Sequence, residues 1–582
     1  MTTTSSVPFN ETVDLVIVGS GAGAMVTALY AHDHGLQPLL IEKTALYGGN
    51  SAMSGGAMWI PANPMMAVAG VADSAEEAVG YLKHVTRGLV ADEKLRTYVA
   101  TAPEMLDYLV ARTHLRVQCM LTYPDYYVEA PGGKPGGRSL EPEHFDAALL
   151  GEDEFLRMRE PAYQELVFGR MSMTATEAHH LLARHPGWMQ LTGHIMARYW
   201  RDIGWRMKSS RDRCLSLGNA LVGMLRRSLL DRNIPIWFRT SADELIVDNG
   251  RVTGVVGSRE GRPASVGARV GVVLAAGGFE SNQVMRERYL PNPTDIAWTS
   301  GSSASTGDAI RMGEAIGAAL DMMKEAWWGP VTVVPGEERA RVLVIEKGLP
   351  GCILVNKKGA RFVNEASPYS DIVQAMYDAN TPAAPSVPAY MIFDGEYRRK
   401  YPFGPLLQAA QQPDWMIPRS LKGGYLKKAR SVGALAELLG VERAGLEQTI
   451  ARFNENALAG KDPEFRRGEG GFDRYYGDEK VRPNPCLAPL ATPPYYGIVT
   501  YPGEFGTKGG LKTDVRSRVL RADDSMIDGL WAIGNCSASV MGPTYPGAGA
   551  TIGPAMTFGF IAARDAVASA QTSDSTTRAA TA

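Results

Sequence analysis

Cysteine is scarce in this chain of 582 residues, and no two cysteines form a CxxC pair. The spacing therefore fits neither a zinc site nor a disulfide framework, and we expect no metal and a reducing compartment. An excess of charge of one sign is also lacking, since 60 basic residues face 62 acidic ones, a formal net charge of −2. Such a balance gives no reason to expect nucleic acid as a partner. The five cysteines are Cys119, Cys214, Cys352, Cys486 and Cys536.

Long hydrophobic runs are absent as well. No segment approaches the ~18 uninterrupted apolar residues that a membrane-spanning helix requires. The first 14 residues lack the basic region and apolar stretch of a signal peptide. We therefore expect a cytoplasmic protein, with a peripheral contact at the inner face of the plasma membrane still open. The small, polar segment from about residue 571 (QTSDSTTRAATA) is predicted to be disordered.

The start of the chain carries the most informative pattern. Val13–Val18 (VDLVIV) is a short β-branched run of the kind that forms a buried parallel strand. It leads into the glycine-rich turn GSGAGA and then into a helical stretch through about His34. A second strand, Pro38–Ile41, ends at Glu42. This order of strand, glycine turn, helix, strand and acid is typical of a dinucleotide-binding fold.

Each position of the turn has a physical reason in that fold. Gly19 permits the sharp bend, Gly21 lets the backbone approach a pyrophosphate, and Ala24 allows the helix to pack closely on the strand. The N-terminus of the helix would meet the diphosphate with free N–H groups and a partial positive charge. Glu42 would bind the ribose hydroxyls of the adenosine, a role that an ordinary glycine loop, the alternative, does not require. The predicted contacts in this unit are Gly19, Gly21, Ala22, Gly23, Ala24, Glu42 and Lys43.

The glycine turn does not by itself separate NAD from FAD. Two small-residue segments, GGNS and SGGA, follow the acid and would pass close to the phosphates and the ribityl chain of FAD, unless they form a flexible surface loop. GLWAIGN and LAAGG resemble additional flavin contacts that NAD enzymes do not need. We predict FAD, held noncovalently because no histidine lies beside GGNS. The further predicted contacts are Gly49, Asn50, Ser51, Ser54, Gly55, Gly56, Ala276, Gly277, Gly534, Asn535, Ala550 and Ile552.

Strand-like runs of the nucleotide domain are widely separated in the chain. The sequence therefore predicts an α/β protein whose Rossmann-like FAD-binding domain comprises residues 1–290 and 485–582. Residues 291–484 would form an inserted α+β substrate cap over the cofactor. The nucleotide-domain patterns are strands at Ile234–Phe238, Glu244–Val247, Gly254–Val256, Gly271–Gly278 and Gly529–Gly534 and a helix at Thr551–Ala568; those of the cap are a helix at Thr306–Ala318 and a strand at Ile353–Val355.

Several motifs together resemble one known family over nearly the whole chain. They are VIVGSGAG, IEKTALYGGNSAMSGGAMWIP, YPDYY, TGDAI, RFVNEASPY, FGTKGGLKTD, LWAIGNCSAS and TYPGAGATIGPAM. With these the chain resembles the fumarate reductase and ketosteroid dehydrogenase superfamily, and more closely the 3-ketosteroid Δ1-dehydrogenases. The flavin segments are those of the superfamily, whereas YPDYY, NEASPY and TYPGAG indicate the steroid branch.

The resemblance implies a mechanism and a set of catalytic residues. In the family a tyrosine hydroxyl and a glycine amide polarise the C3 carbonyl of the steroid, and the matching positions are Tyr545 and Gly549. Two such donors form an oxyanion hole, aimed where enolate charge develops. The resemblance also implies that Tyr369 takes the C2 proton, assisted by Tyr126. The C1 hydrogen would leave as hydride to N5 of the flavin, whose electrons would pass to a quinone or another acceptor.

Other interpretations of these tyrosines remain open. A tyrosine with an ordinary pKa of ~10 is a poor base at neutral pH, so the mechanism needs hydrogen bonding or coupled deprotonation within the cluster. Tyr126 lies beside Tyr123 and Tyr127 and could serve packing alone. Tyr369 follows Pro368 and could have a conformational role. The competing functions are Δ4-dehydrogenation, another enone-forming oxidation, and a flavin redox protein without turnover.

A dicarboxylate substrate, as in the fumarate reductase branch, is disfavoured. That branch binds its substrate with arginine and histidine, whereas the TYPGAG region offers only small and aromatic residues. Two carboxylate charges would therefore lack partners. Arg361, in RFVNE, is the nearest cation to the catalytic segment, and we interpret it as structural.

Residues 161–216 look like an insertion relative to compact members of the family. Within them, Trp188–Lys208 predicts an amphipathic helix with arginines off its apolar stripe. Such a helix suits a membrane interface, where it would help to capture a steroid dissolved in lipid. The alternative is packing on the domain or on a second subunit. The stripe consists of Trp188, Leu191, Ile195, Met196, Tyr199, Trp200, Ile203 and Met207.

Overall fold

A large sheet of eight strands organises the two ends of the chain. The computed structural model describes residues 10–162, 166–182 and 186–581, so most of the segment tested for a signal peptide lies outside it. The first strand, Glu11–Val18, lies between two parallel neighbours, and its last four residues are buried on both faces, which explains their continuous apolar run. The strands are Glu11–Val18, Pro38–Ile41, Ile236–Trp237, Thr240–Asp248, Arg251–Arg259, Arg262–Leu274, Arg518–Leu520 and Met526–Ala532.

This sheet joins segments that are distant in sequence. Pro38–Ile41 and Arg262–Leu274 flank the first strand, and Met526–Ala532 continues the parallel core beside Arg262–Leu274. At the other edge, Ile236–Trp237 runs parallel to Pro38–Ile41. The predicted α/β class with a parallel sheet is therefore confirmed.

The first and last helices approach each other closely at two glycines. A Cβ on Gly23 would lie 2.5 Å from the Ala555 carbonyl oxygen, and one on Gly559 would lie 2.6 Å from that of Gly23. Only glycine permits such an approach, so Gly23 serves helix packing. The α-helices are Ala22–Asp33, Gly49–Met53, Pro64–Val68, Ala75–Val85, Asp92–Arg112, Glu152–Leu156, Ala175–Leu182, Trp188–Arg201, Ile203–Arg206, Leu217–Asp231, Gln283–Tyr289, Asp308–Ala315, Tyr369–Asp378, Gly395–Lys400, Val432–Leu439, Arg443–Ala459, Gly471–Tyr475 and Ile552–Thr581.

A second sheet, antiparallel and of six strands, occupies the middle of the chain. Its longest strand, Tyr495–Thr507, pairs with Ala326–Thr332 and with Ala389–Phe393. That strand lies beyond residue 484, so the predicted end of the middle segment is too early. The physical reason is that a strand's partner sheet is set by long-range pairing, which a local pattern does not contain. The strands are Ala326–Thr332, Arg341–Val342, Cys352–Val355, Ala389–Phe393, Lys427–Ala429 and Tyr495–Thr507.

Two predicted helices have different ends in the structure. The helix expected over Thr306–Ala318 covers Asp308–Ala315, because Gly307 before it adopts a left-handed φ of 78°. The last helix extends to Thr581, through the segment from about residue 571 that was predicted to be disordered; the alanines of that segment favour helix. Short strands pair elsewhere: Leu320–Asp321 with Gly510–Leu511, Met58–Trp59 and Val117–Cys119 with Ser139–Pro142, Phe145–Asp146 with Cys214–Leu215, and Leu166–Val167 with Met171–Ser172.

The segment predicted as one helix over Trp188–Lys208 forms two, Trp188–Arg201 and Ile203–Arg206, separated at Asp202. Ile195 and Tyr199 pack inward with Met171 and their neighbours, so only part of the apolar stripe faces outward. Within the described ranges no helix has both the length and the apolar character needed to cross a membrane. The outward-facing apolar side chains are Met189, Met196, Trp200, Ile203 and Met207.

Candidate active site

The glycine turn places the N-terminus of the first helix at the end of the first strand. Gly19 has a φ of 114°, and a side-chain carbon there would collide with the Ala275 carbonyl oxygen, so the bend requires glycine. The Ala22 N–H donates to Ser51 Oγ at 3.1 Å, which brings the GGNS segment against the turn. Helix N–H groups in this position bind anions such as a pyrophosphate. Gly21 and Ala24 complete the turn as predicted residues of this unit.

Glu42 lies directly after the second parallel strand and is nearly fully buried. Its carboxylate accepts hydrogen bonds from Ser20 Oγ at 2.5 Å and from the Thr44 N–H at 2.9 Å. A carboxylate at this strand end is the acceptor that ribose hydroxyls require. Lys43 points elsewhere, because its ammonium pairs with Asp308 at 2.6 Å.

The small-residue segments after the acid divide into two roles. A Cβ on Gly49 or Gly55 would meet no atom within 4 Å, so both positions leave open space for a ligand. Gly56 instead packs against the backbone at the start of Leu217–Asp231, and the Ser54 carbonyl accepts from that helix. Part of the predicted cofactor segment therefore supports the fold.

Asn50 links this segment to the loop that follows the third parallel strand. Its amide donates to Glu280 Oε1 at 2.7 Å and accepts from the Ser302 N–H at 2.7 Å. Ala276 and Gly277 lie in the same loop, where Gly277 has a φ of 80°. Glu280, which the sequence did not indicate, is fully buried, and burial raises the pKa of its carboxyl.

A cavity lies beside the predicted C-terminal flavin segment. Gly534 has a φ of 65°, and the last helix begins at Ile552, close to the buried Ala550. Lys94 lies in the cavity wall and donates to the Thr513 carbonyl at 3.2 Å, and burial lowers the pKa of Lys94 to about 8. The walls also include Trp327, Asn535, Thr551, Ala555 and Phe558.

Three tyrosines from distant segments meet at one point. The hydroxyls of Tyr126 and Tyr369 share a hydrogen bond. The ring of Tyr545 lies 5.1 Å from that of Tyr369 and 5.3 Å from that of Tyr126, measured between centroids. The structure thus brings together the three tyrosines to which the sequence gave catalytic roles. We call these three residues the tyrosine triad.

Local structure explains how each member of the triad is held. Tyr369 is the first residue of its helix, directly after Pro368, which a helix start accommodates. The Tyr126 N–H donates to the Pro546 carbonyl at 3.0 Å, so the YPDYY loop is tied to the TYPGAG loop. Gly549 has a φ of 90°, and its carbonyl accepts from the N–H of the short strand at Met58–Trp59. This backbone conformation favours glycine.

Burial dominates the electrostatics of the triad. It raises the pKa of Tyr126 and of Tyr369 well above the ordinary value, and it also raises the pKa of Tyr545. The hydrogen bond from Tyr126 acts in the opposite direction on Tyr369, because it stabilises the deprotonated oxygen. The site therefore favours neutral hydroxyl donors and provides one specific route to a basic oxygen.

Several aromatic residues that the sequence did not single out surround the triad. Tyr123 and Tyr476 share a hydroxyl–hydroxyl hydrogen bond next to Tyr126. Phe472 lies 4.7 Å from the ring of Tyr126, and Phe505 lies 5.4 Å from that of Tyr369. Their only sequence signal is aromatic content near known motifs, which does not identify a partner. The resulting walls are apolar and suit a hydrophobic ring system.

Trp327 connects the triad to the flavin segment. Its ring meets that of Tyr545 at 5.0 Å, and its Nε1–H donates to Asn535 Oδ1 at 3.0 Å. Arg361 lies elsewhere, in buried ion pairs with Glu365 and Asp462 at 2.8 Å each. These pairs agree with the structural role predicted for Arg361.

Comparisons with known proteins agree with this geometry. A family described as an FAD binding domain matches residues 14–552. The 3-oxosteroid 1-dehydrogenase of Mycobacterium tuberculosis is 42% identical over 94% of this chain and 97% of its own length. That of Comamonas testosteroni is 41% identical over 95% and 96%. The crystal structure of 3-ketosteroid Δ1-dehydrogenase from Sterolibacterium denitrificans, in complex with 1,4-androstadiene-3,17-dione, has a TM-score of 0.93 and 49% identity, covering 96% of this chain and 100% of that one.

The parallel sheet, the glycine turn and the buried carboxylate define a flavoprotein with a dinucleotide-binding fold, and FAD is its cofactor. The open positions at Gly49 and Gly55 and the cavity at Gly534 fit this larger cofactor. The chain belongs to the 3-oxosteroid 1-dehydrogenase family of FAD-binding proteins, and it is an oxidoreductase.

Proposed function

We propose that this chain carries out the FAD-dependent 1,2-dehydrogenation of 3-ketosteroids in steroid degradation. The observation that carries the proposal is the convergence of Tyr126, Tyr369 and Tyr545 beside the flavin segment, to which Trp327 joins them. The high identity to 3-oxosteroid 1-dehydrogenases over nearly the whole chain supports it. The aromatic walls favour a hydrophobic ketone over a dicarboxylate, since they supply no compensating charge.

The residues divide the chemistry between them. The Tyr545 hydroxyl and the Gly549 N–H donate to the C3 carbonyl oxygen and stabilise the enolate charge that develops there. This polarisation makes the C2 hydrogen acidic, and the Tyr369 oxygen takes it as a proton. Tyr126 stabilises the deprotonated form of Tyr369 through their hydrogen bond. FAD, when bound, supplies the redox chemistry by accepting the C1 hydrogen as hydride at N5.

The direct test is an anaerobic titration of the yellow protein with androst-4-ene-3,17-dione. We expect the flavin absorbance to bleach and the mass of the product to be that of the 1,4-diene. Succinate serves as the control for the dicarboxylate alternative and should leave the flavin oxidised. Bleaching by a different hydrophobic ketone, with none by the ketosteroid, would contradict the proposed substrate. A bound flavin that no ketone reduces would contradict catalysis altogether.

We also propose that the second sheet is an inserted substrate cap. It is built from residues between 326 and 507, within which the helix Tyr369–Asp378 starts with the proposed base. Tyr126 and Tyr545 belong to segments outside it, so the triad is complete only where cap and nucleotide domain meet. Turnover then requires reoxidation of the flavin by a quinone or another acceptor, for which we propose no site.

A peripheral membrane contact is a further part of the proposed function. The apolar side chains on the outer face of residues 188–207 are exposed, Trp200 by 58%, and Arg201 beside it is exposed as well. Exposed aromatic and methionine side chains with a neighbouring arginine suit a lipid interface, from which a ketosteroid is captured. All five cysteines are free, which supports a cytoplasmic location at the inner face of that membrane.

A further inference from the structure

A second group of polar residues lies directly behind the tyrosine triad. Lys508 is fully buried, and its ammonium donates to the Thr544 carbonyl at 2.8 Å. The same nitrogen lies 4.4 Å from the centre of the Trp327 ring, whose edge packs on Tyr545. Lys508 therefore contacts both the backbone that precedes Tyr545 and the ring that packs against it.

On the other side, Tyr127 and Asp371 join the two remaining segments of the triad. Asp371 lies in the first turn of the helix that starts at Tyr369, and its Oδ1 accepts from the Tyr127 hydroxyl at 2.7 Å. Tyr127 directly follows Tyr126 in the chain. Its hydroxyl also faces the Thr544 hydroxyl, so the two halves of the group meet at Thr544.

Neither half follows from the needs of folding alone. An amine buried beside a carbonyl and an aromatic ring loses hydration, and a methionine of similar length would pack there without that cost. Burial lowers the pKa of Lys508 to about 7, yet its nitrogen carries N–H donors in either protonation state. The contact with Thr544 is therefore available on both sides of that pKa.

We propose that Lys508, Tyr127 and Asp371 form a clamp that fixes the separation between Tyr369 and Tyr545. The clamp rests on the roles proposed above for these two tyrosines, which must reach C2 and C3 of one steroid ring at the same time. The two carbons are bonded neighbours, so their partners have little freedom. A displacement of about 1 Å at such a site costs about 100-fold in rate. The three clamp members are positioning residues, since they reach the substrate only through others.

Two single substitutions, in the FAD-loaded full chain, test the clamp. Tyr127→Phe removes one oxygen and Lys508→Met removes the amine. We expect kcat to fall about 10- to 100-fold in each, with little change in KM, because the loss is one of alignment in the transition state. Lys508→Arg, which keeps a donor, should recover part of that loss. The double variant should lose less than the product of the single losses, because both substitutions loosen the same element.

A spectroscopic measurement separates alignment from general damage. When 1,4-androstadiene-3,17-dione binds, polarisation of its carbonyl by Tyr545 moves its absorption band to longer wavelength. The shift should be smaller in both clamp variants, while flavin content and melting temperature stay close to those of the unsubstituted chain. Matched controls are Lys512→Met, in an exposed ion pair with Asp524, and Tyr108→Phe, which breaks a Tyr–Asp bond with Asp33. Both controls should keep the full rate and the full shift.

Three results would overturn the clamp. They are an unchanged kcat, an unchanged band shift, or loss of FAD in both variants, which would assign them a purely structural role. Failure of the proposed function is distinguishable, since the unsubstituted chain itself would then not bleach with the ketosteroid.

Discussion

Tyr369 has to act as a base in surroundings that oppose its ionisation. Its ring is enclosed by Tyr126, Tyr545 and Phe505, and this burial raises the pKa of its hydroxyl. The hydrogen bond from Tyr126 is the local feature that favours the ionised oxygen. The position of Tyr369 at the first residue of its helix also brings the partial positive charge of the helix N-terminus close to it.

Tyr369→Phe removes the oxygen that we assign as the base. We expect turnover to fall by at least about 100-fold, the usual contribution of a positioned proton acceptor, while the flavin stays bound. Steady-state assays with androst-4-ene-3,17-dione, together with the flavin spectrum of the variant, check this. A variant that keeps most of its rate would show that another group takes the C2 proton.

Tyr545→Phe removes one of the two donors to the C3 carbonyl. A lost oxyanion donor costs about 100-fold in kcat, and steroid binding should weaken as well because the ketone loses a hydrogen bond. Stopped-flow reduction of the flavin at several steroid concentrations gives both quantities. Unchanged kinetics would place the oxyanion hole elsewhere, whereas an effect on binding alone would mean that the donor acts on the ground state.

Residues of the site differ in how far the sequence predicts them. Tyr126, Tyr369 and Tyr545 lie in motifs that resemble a known family, so their meeting could be expected. Glu280 and Lys508 are buried polar residues whose partners are distant in the chain, Asn50 being 230 positions from Glu280. Such pairs form only after the sheets assemble, and no local pattern contains them.

At the scale of elements, local signals succeed where the contacts are local. The strand, turn and helix at the start of the chain form as predicted because the Gly19 bend and the apolar strand lie within a few residues of each other. The ends of the second sheet were not predictable, since Tyr495–Thr507 is defined by partners that lie 100 or more positions before it. The break at Asp202 likewise has no strong signal, such as proline, in the sequence.

The outer face of residues 188–207 gives a prediction at this scale. Replacing Met196 and Trp200 together with glutamate should lower binding to vesicles that contain anionic lipid by about 30-fold or more, since two exposed apolar groups can no longer enter the interface. Sedimentation with the vesicles measures it. The matched control is Leu458→Glu, because Leu458 is 71% exposed on the helix Arg443–Ala459.

The control variant should sediment like the unsubstituted chain, and flavin content should be the same in all three proteins. Equal sedimentation of the double variant and the unsubstituted chain would contradict a membrane contact through this face. A change in oligomeric state on substitution, seen by light scattering, would instead indicate the second-subunit alternative.

At the scale of the whole molecule, the site depends on segments from the full length of the chain. Tyr126 precedes the third parallel strand, Tyr369 lies between strands of the second sheet, and Tyr545 follows Met526–Ala532. The proposed base therefore moves with the second sheet, whereas the oxyanion donors move with the nucleotide-binding part. Any relative displacement of the two parts changes the distance between base and oxyanion hole.

The position of Met526–Ala532 in the large sheet also bears on how the protein is made. A ribosome that has released the first 500 residues has delivered the glycine turn and Glu42, but neither that strand nor the helix that packs on Gly23. The nascent chain thus carries half of a nucleotide pocket throughout most of its synthesis. Cofactor capture becomes a late event, and a truncated product lacking its last 60 residues would emerge colourless.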